Sequence, residues 1–281
     1  MNGNRRGIGR TEVIVTIVIL VIGFAVLLPG LLVMREAARQ NTCKFNLHKR
    51  IHVALANYQE THQAYPYGCV GNPDLPPEKR WSWYVGLHPF LEQPAGPLPL
   101  NTMLDSSQFE KEPRTFDTFD KEGNAIKIEF PNLGPLLCCP NGLDDVDGLK
   151  HPLTTYVGMA GSGRDAPTLP QQHPRAGMWG YNRQTVLDKK FKGREYTISV
   201  IETNRNRGSW YRGGEATVRP FVPSGEDNSS RPPIGSDGQF GGLHSDGANV
   251  LFADGSVRMQ SKTIDAEVFK RLTTLQQEAT P

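Results

Sequence analysis

RRGIGRTEVIVTIVILVIGF, residues 5–24, opens on two arginines and a glycine and then enters a long apolar run past a single carboxylate, Glu12. From Val13 to Met34 no residue is charged, and only Thr16, two glycines and Pro29 interrupt the hydrocarbon. An α-helix needs about 20 apolar residues to cross a bilayer core, so this run predicts one membrane-spanning helix. The remainder is polar enough to bring the mean hydropathy of the chain to −0.45, which predicts one span carrying a water-soluble body. Arg5, Arg6 and Arg10 precede the span. Basic residues gather on the cytoplasmic side, so the N-terminus is expected inside and the body outside the inner membrane. The run is longer than the roughly 7–15 residues of a secretory signal core, and no A-x-A site follows it. A permanent signal anchor is the alternative reading.

The 247 residues that follow Met34 are enough for one sizeable domain or two small ones. A formal net charge of +2 gives no electrostatic footprint for a nucleic-acid partner. With 29 glycines and 22 prolines among 281 residues, many turns and long loops are expected rather than a helical bundle. The four cysteines would lie in an oxidising compartment under this topology, so disulfides are allowed.

Counted from Ile8, as if cleavage fell after Gly7, Glu12 is the fifth residue and Pro29 the twenty-second. This arrangement resembles the N-terminal segment of type IV pilins and of the pseudopilins of type II secretion. The resemblance implies that a prepilin peptidase cuts between Gly7 and Ile8, that Ile8 is then N-methylated, and that Glu12 serves assembly. The new terminal amine is a cation, and a buried charge is tolerable only when paired, which gives Glu12 of a neighbouring subunit its task. Pro29 is expected to bend the helix, since it removes a hydrogen bond and crowds the preceding turn. Here Ile8-Gly9-Arg10-Thr11-Glu12 replaces the usual Phe-Thr-Leu-Ile-Glu. Arg10 is expected to snorkel to the interface or to pair with Glu12.

Beyond the span, Cys43, Leu47, Ile51, Leu55 and Tyr58 recur at spacings of four and three, one face of an amphipathic helix ending near Thr61 before Pro66. Residues 35–68 contain an Arg-Glu-Ala-Ala-Arg run, a Cys-Lys-x-Asn-Leu step, and a tyrosine-bearing helix end before a proline. These resemble the opening of the DUF1559 family, which carries a pilin-like leader. Near the other end, GGLHSDGANVLFADGSVRMQS, residues 241–261, reads as a β-hairpin with Asp254-Gly255 at its turn. His244 stands so that His244, Asp254 and Gly255 match the family's H-x9-DG signature. Both side chains are expected to close the hairpin through hydrogen bonds to backbone, with a catalytic or metal-binding pair as the competing reading.

The family has a cysteine in its long helix and a later Cys-Pro, which correspond to Cys43 and Cys139. The resemblance therefore implies a Cys43–Cys139 disulfide, and Cys69–Cys138 is expected as the additional bridge, one of three connectivities that four cysteines allow. A zinc site is the competitor, but there is no C-x2-C pair and adjacent cysteines chelate poorly. Asp144, Asp145 and Asp147 form an acidic run that offers Ca²⁺ oxygen ligands, against an ordinary solvated turn. No other cofactor is expected. His48 and His52 share the spacing of H-E-x-x-H, but Lys49 replaces the general base, so a solvated helix face is expected there. The Gly161–Ala166 stretch imitates a dinucleotide loop, but Pro167 and Pro170 deny it the helix it needs.

The remaining elements are a strand at 154–161, an alternating strand at 195–202, a loop-rich insertion over 203–243, and a short helix marked by Ile264, Val268, Leu272 and Leu275. The expected fold is α+β and pilin-like. Residues 1–7 form a cytoplasmic leader, 8–34 the membrane half of a long helix and 35–61 its amphipathic half. Residues 62–281 form the body, with a largely antiparallel sheet packed on that helix and a short C-terminal helix. The expected role is a non-enzymatic pilin- or pseudopilin-like subunit whose partners are prepilin peptidase, membrane lipid and other subunits. The alternative is a membrane-anchored extracytoplasmic solute- or ligand-binding protein that does not polymerise.

Overall fold

A computed structural model of the chain describes residues 9–91, 115–119, 125–129, 133–142, 153–188, 191–226 and 230–275. It divides into two units, Met1–Asn41 and Thr42–Pro281. The chain is α+β. Its first element is helix α1, Arg10–Phe45, with Pro29 inside it. In the first unit the described large apolar side chains from Val13 to Met34 are 45–70% exposed, a run of hydrocarbon that nothing within that unit covers. Among the described residues one helix, Arg10–His62, is long and apolar enough to cross a membrane.

In the second unit the helix changes pitch. Asn46–His52 is a π-helix, followed by α2, Val53–His62. A spacing of four overshoots one α-helical turn by about 40°, so Cys43, Leu47, Ile51 and Leu55 would drift around the cylinder in an unbroken α-helix. The wider i→i+5 turns of the π segment correct that drift. All four side chains are fully buried. The helix ends at Gln63, which is left-handed at φ 57° and returns its N–H to Gln59 O.

The next elements are strands β1 (Cys69–Val70) and β2 (Trp81–Ser82), helix α3 (Trp83–Leu87), strands β3 (Thr115–Phe119) and β4 (Ala125–Glu129), and helix α4 (Gly134–Leu137). Strands β5 (Tyr156–Ser162), β6 (Ile198–Glu202), β7 (Val218–Phe221), β8 (Gly247–Phe252) and β9 (Val257–Ser261) follow, and helix α5 (Ala266–Leu272) comes last. Strands β1 and β2 pair with each other, as do β3 and β4. The main sheet runs β7-β5-β6-β8-β9, antiparallel except for the parallel β5–β7 pair, so it is mixed.

Both faces of this sheet are covered. Tyr156, Ala160, Val200, Val218 and Leu251 point to one side, where Leu47, Ile51, Ala54 and Leu55 pack with Trp83, Trp179 and Trp210. Val157, Met159, Ile198, Ile201, Val250 and Phe252 point to the other, against Ile234, Phe240 and Phe269. Burying a leucine or isoleucine contributes roughly 1.5–3 kcal/mol, so the four helix side chains are a substantial clamp on the sheet.

Two expectations need correction here. The 203–243 stretch is not a plain insertion, because it contains β7, an edge strand where Pro220 is tolerated because an edge has a free side. In α5 the buried side chain is Phe269, edge-on to Phe221 at 5.1 Å, whereas Val268 is half exposed. Asp265 caps that helix by accepting from the N–H groups of Glu267 and Val268.

Candidate functional site

Among the described residues of the second unit, a buried polar assembly lies where the helix meets the ends of three other segments. The last turn of α1 brings Cys43 and the π-helix brings Asn46. The turn after α4 brings Cys139 and Asn141, the end of β6 brings Glu202, and the segment before β8 brings His244. Cys43 and Cys139 are joined by a disulfide across 96 residues of sequence, with Cα atoms 5.2 Å apart. His244 Nε2 lies 3.4 Å from Cys139 Sγ and 3.6 Å from Glu202 Oε2. The other ring nitrogen, Nδ1, lies 3.3 Å from Asn141 Nδ2, which also donates to Leu243 O. Thr155 Oγ1 accepts from Cys139 N–H, and Asn46 Nδ2 donates to Cys138 O, so the peptide entering Cys139 is held at both its polar groups.

Glu202 is wholly buried at the end of an apolar strand. Its Oε2 accepts from Asn249 N–H at 2.7 Å, while Oε1 has no hydrogen-bond partner. Tyr156 stands opposite Glu202 in the β5–β6 register. Burial, and then the Glu202 charge, push the Tyr156 hydroxyl well above its ordinary value, so it remains a phenol. One donor atom each from Cys43, Cys139, Glu202 and His244 falls within a sphere in which all four are within 4.8 Å of one another.

His244 and Asp254 do not act together, and the expectation that both close the hairpin is corrected. They bracket the six residues of β8, a span of about 20 Å at 3.3 Å per residue, so the strand keeps the two side chains apart. Asp254 does close the β8–β9 turn, with Oδ1 accepting from Ser256 N–H at 2.9 Å and Ser256 Oγ at 2.7 Å. His48 and His52 are not merely a solvated face. Their rings stack at 5.7 Å, and His48 Nδ1 bonds Gly255 O at 2.9 Å, so the pair receives the tip of the hairpin.

The expected Cys69–Cys138 bridge is absent. Cys69 Sγ accepts from Gly214 N–H at 3.2 Å, and Cys138 Sγ donates to Leu153 O at 2.9 Å, in separate pockets of the core. Burial pushes these thiols up to about 11 and about 12 respectively. Glu12 sits in the first turn of α1, and Gly9 N–H donates to its Oε2 at 3.0 Å. Gly7, Ile8, Asp144, Asp145 and Asp147 lie outside the described residues.

A cavity of about 340 Å³ lies beside β7. Among the described residues of its lining are Arg164, Arg205, Arg219 and Arg231 and a single carboxylate, Glu215. Arg219 is nearly buried, and its guanidinium donates to the carbonyls of Glu215, Arg205 and Asn206 at 2.5–2.6 Å rather than to an acid. Asn206 presents its carbonyl from a left-handed backbone, φ 46°.

The family model described as a protein of unknown function (DUF1559) matches residues 33–267. The chain belongs to the DUF1559 family. No curated protein and no solved structure matches it. The DUF1559 match takes in all four members of the buried cluster, together with Asp254 and Gly255, and begins after Glu12 and Pro29. Membership of DUF1559 and an N-terminal helix apolar enough to span a membrane are together compatible with a membrane-anchored extracytoplasmic protein. Sequence reasoning did not single out Glu202, Asn141 or Asn249. The local signal at Glu202 is an ionisable residue closing the strand Ile198-Ser199-Val200-Ile201.

Proposed function

We propose that this DUF1559 protein is a pilin- or pseudopilin-like structural subunit of an envelope assembly, made as a precursor that a prepilin peptidase cuts between Gly7 and Ile8. The observation that supports the reading is the first unit: a helix of exposed hydrocarbon entered past an acidic residue, Glu12, in its first turn, with no other charge from there to Met34. Its carboxylate accepts from Gly9 N–H at the start of the helix. In a low-dielectric helix bundle that carboxylate neutralises an ammonium group, and lipid covers what the bundle leaves exposed. The N-terminus is then cytoplasmic, by the bias of Arg5, Arg6 and Arg10, and the body extracytoplasmic. Its work is structural rather than catalytic. Mass spectrometry of the native protein is expected to find a methylated Ile8 at the N-terminus. Glu12→Ala is expected to be processed yet to lose crosslinking to neighbouring subunits. An intact Met1 in the mature protein overturns the reading.

A second reading, a membrane-anchored protein that takes up an anionic ligand, rests on the arginine-lined cavity. Guanidinium groups pair phosphate oxygens two at a time, and 340 Å³ is at the lower end of small-molecule sites. The full-length protein in detergent is expected to bind pyrophosphate in calorimetry. Arg205→Gln with Arg231→Gln is expected to weaken that binding at least about tenfold, the value of one lost charge-assisted hydrogen bond. Absence of heat with the unaltered protein removes this reading.

A further inference from the structure

The buried cluster of Cys43, Cys139, Glu202 and His244 has a donor set and a geometry that exceed what a disulfide needs. A tetrahedral zinc ion with sulfur at 2.3 Å and nitrogen or oxygen near 2.0–2.2 Å sets its ligand atoms about 3.3–3.8 Å from one another. Cys139 Sγ to His244 Nε2 is 3.4 Å, and His244 Nε2 to Glu202 Oε2 is 3.6 Å. Glu202 also carries an oxygen, Oε1, that is buried without a hydrogen-bond partner, an arrangement that is costly unless something takes it up. Neither Glu202 nor His244 is required to form the Cys43–Cys139 bond, yet both are buried against it.

We propose that the reduced form of this site binds a zinc-type divalent cation through Cys43 Sγ, Cys139 Sγ, His244 Nε2 and Glu202, so that a disulfide and a metal are alternative clasps between the helix end and the sheet. A dithiol reductant supplies two electrons and two protons and closes to its own disulfide, leaving Cys43 and Cys139 as thiols. The cation then displaces one proton from each thiol. The imidazole keeps one proton, carried on Nδ1 when Nε2 ligates, and a half-turn of the Asn141 amide presents Oδ1 to accept it. In either redox state the same helix turn is tied to the turn after α4, and the cation adds the ends of β6 and β8 to that tie. The cation enters as the chain folds, because all four ligands are buried in the closed structure. This inference does not depend on whether the protein assembles with others.

The test uses the full chain in detergent, reduced anaerobically with a phosphine, then unfolded and refolded with one equivalent of Co²⁺. The expected result is one Co²⁺ per chain with thiolate-to-cobalt charge-transfer absorption and the ligand-field bands of a four-coordinate site, both discharged by Zn²⁺. Protein refolded with the bridge intact is expected to show neither. Glu202→Gln and His244→Gln are each expected to weaken Co²⁺ binding at least about tenfold, since even outer-shell changes at metal sites have effects of that order. Cys69 and Cys138 lie buried outside the cluster, where Cys69 Sγ accepts from Gly214 N–H and Cys138 Sγ donates to Leu153 O. X-ray absorption on the reduced wild-type protein supplies a readout independent of whether the variants fold, with two sulfur and two nitrogen or oxygen neighbours expected. Absence of the charge-transfer band, a sulfur count other than two, or equal binding by the oxidised protein overturns the proposal.

Discussion

Replacing Cys43 by alanine is expected to destabilise the body by about 4 kcal/mol, because the disulfide it forms closes a loop of 96 residues. The effect arises chiefly in the unfolded chain, whose freedom the bridge restricts, and closure entropy grows only slowly with loop length. A second contribution comes from the folded side, where the bridge fixes the helix turn that carries Asn46 and Leu47 into the core. Cys139→Ala is expected to cost about the same, and the double variant no more than either single one, because the two residues make one bond. Urea unfolding followed by the fluorescence of buried Trp83, Trp179 and Trp210 measures it. A loss below about 1 kcal/mol for both single variants means the bridge does not constrain the protein in solution.

Gly255→Val is expected to cost about 3 kcal/mol, again read by urea unfolding. Gly255 has φ +88°, where a side chain with a Cβ is strained by roughly 1–2 kcal/mol. A Cβ there would also lie only 2.2–2.7 Å from three atoms of the His52 ring, so the turn must lift from the helix and give up the bond between His48 Nδ1 and Gly255 O. His52→Ala removes the collision but not the strain. The double variant should therefore recover part of the loss, a positive coupling that only direct contact produces. The same contact makes the hairpin sensitive to acid. Burial, followed by the charge of His48, holds His52 below its ordinary 6.5. The unfolded chain thus takes up the proton more readily than the folded one, and stability that is present above about pH 6.5 declines as the pH falls through and below that value.

Much of this protein is legible residue by residue. The long apolar helix is legible because its hydrocarbon runs unbroken by charge for more than twenty residues. The buried face Cys43, Leu47, Ile51 and Leu55 is legible from its repeat, and the β8–β9 hairpin from its alternation and its Asp254-Gly255 turn. What escaped are features set by several segments at once. The π-helix is invisible locally, since the same spacing of four is compatible with a drifting α-helix. Strand β7 was hidden because VRPF is short and contains a proline, and its pairing partner β5 is about sixty residues away in sequence. The helix α5 buries Phe269 instead of Val268 because Phe221 and Phe240, from elsewhere in the chain, leave an aromatic-sized space there.

By itself, then, the sequence determined the apolar helix, its amphipathic continuation and the local turns, because each follows from a periodicity or a backbone preference within a few residues. The Cys43–Cys139 pairing expected from the family resemblance is present, but only the tertiary structure decided that Glu202 and His244 meet it, that the histidines of the helix seat a hairpin, and that Cys69 and Cys138 stay apart. The physical reason is that side-chain chemistry depends on distance and dielectric in space. Those four residues are spread over two hundred positions of chain and become neighbours only when the sheet closes on the helix.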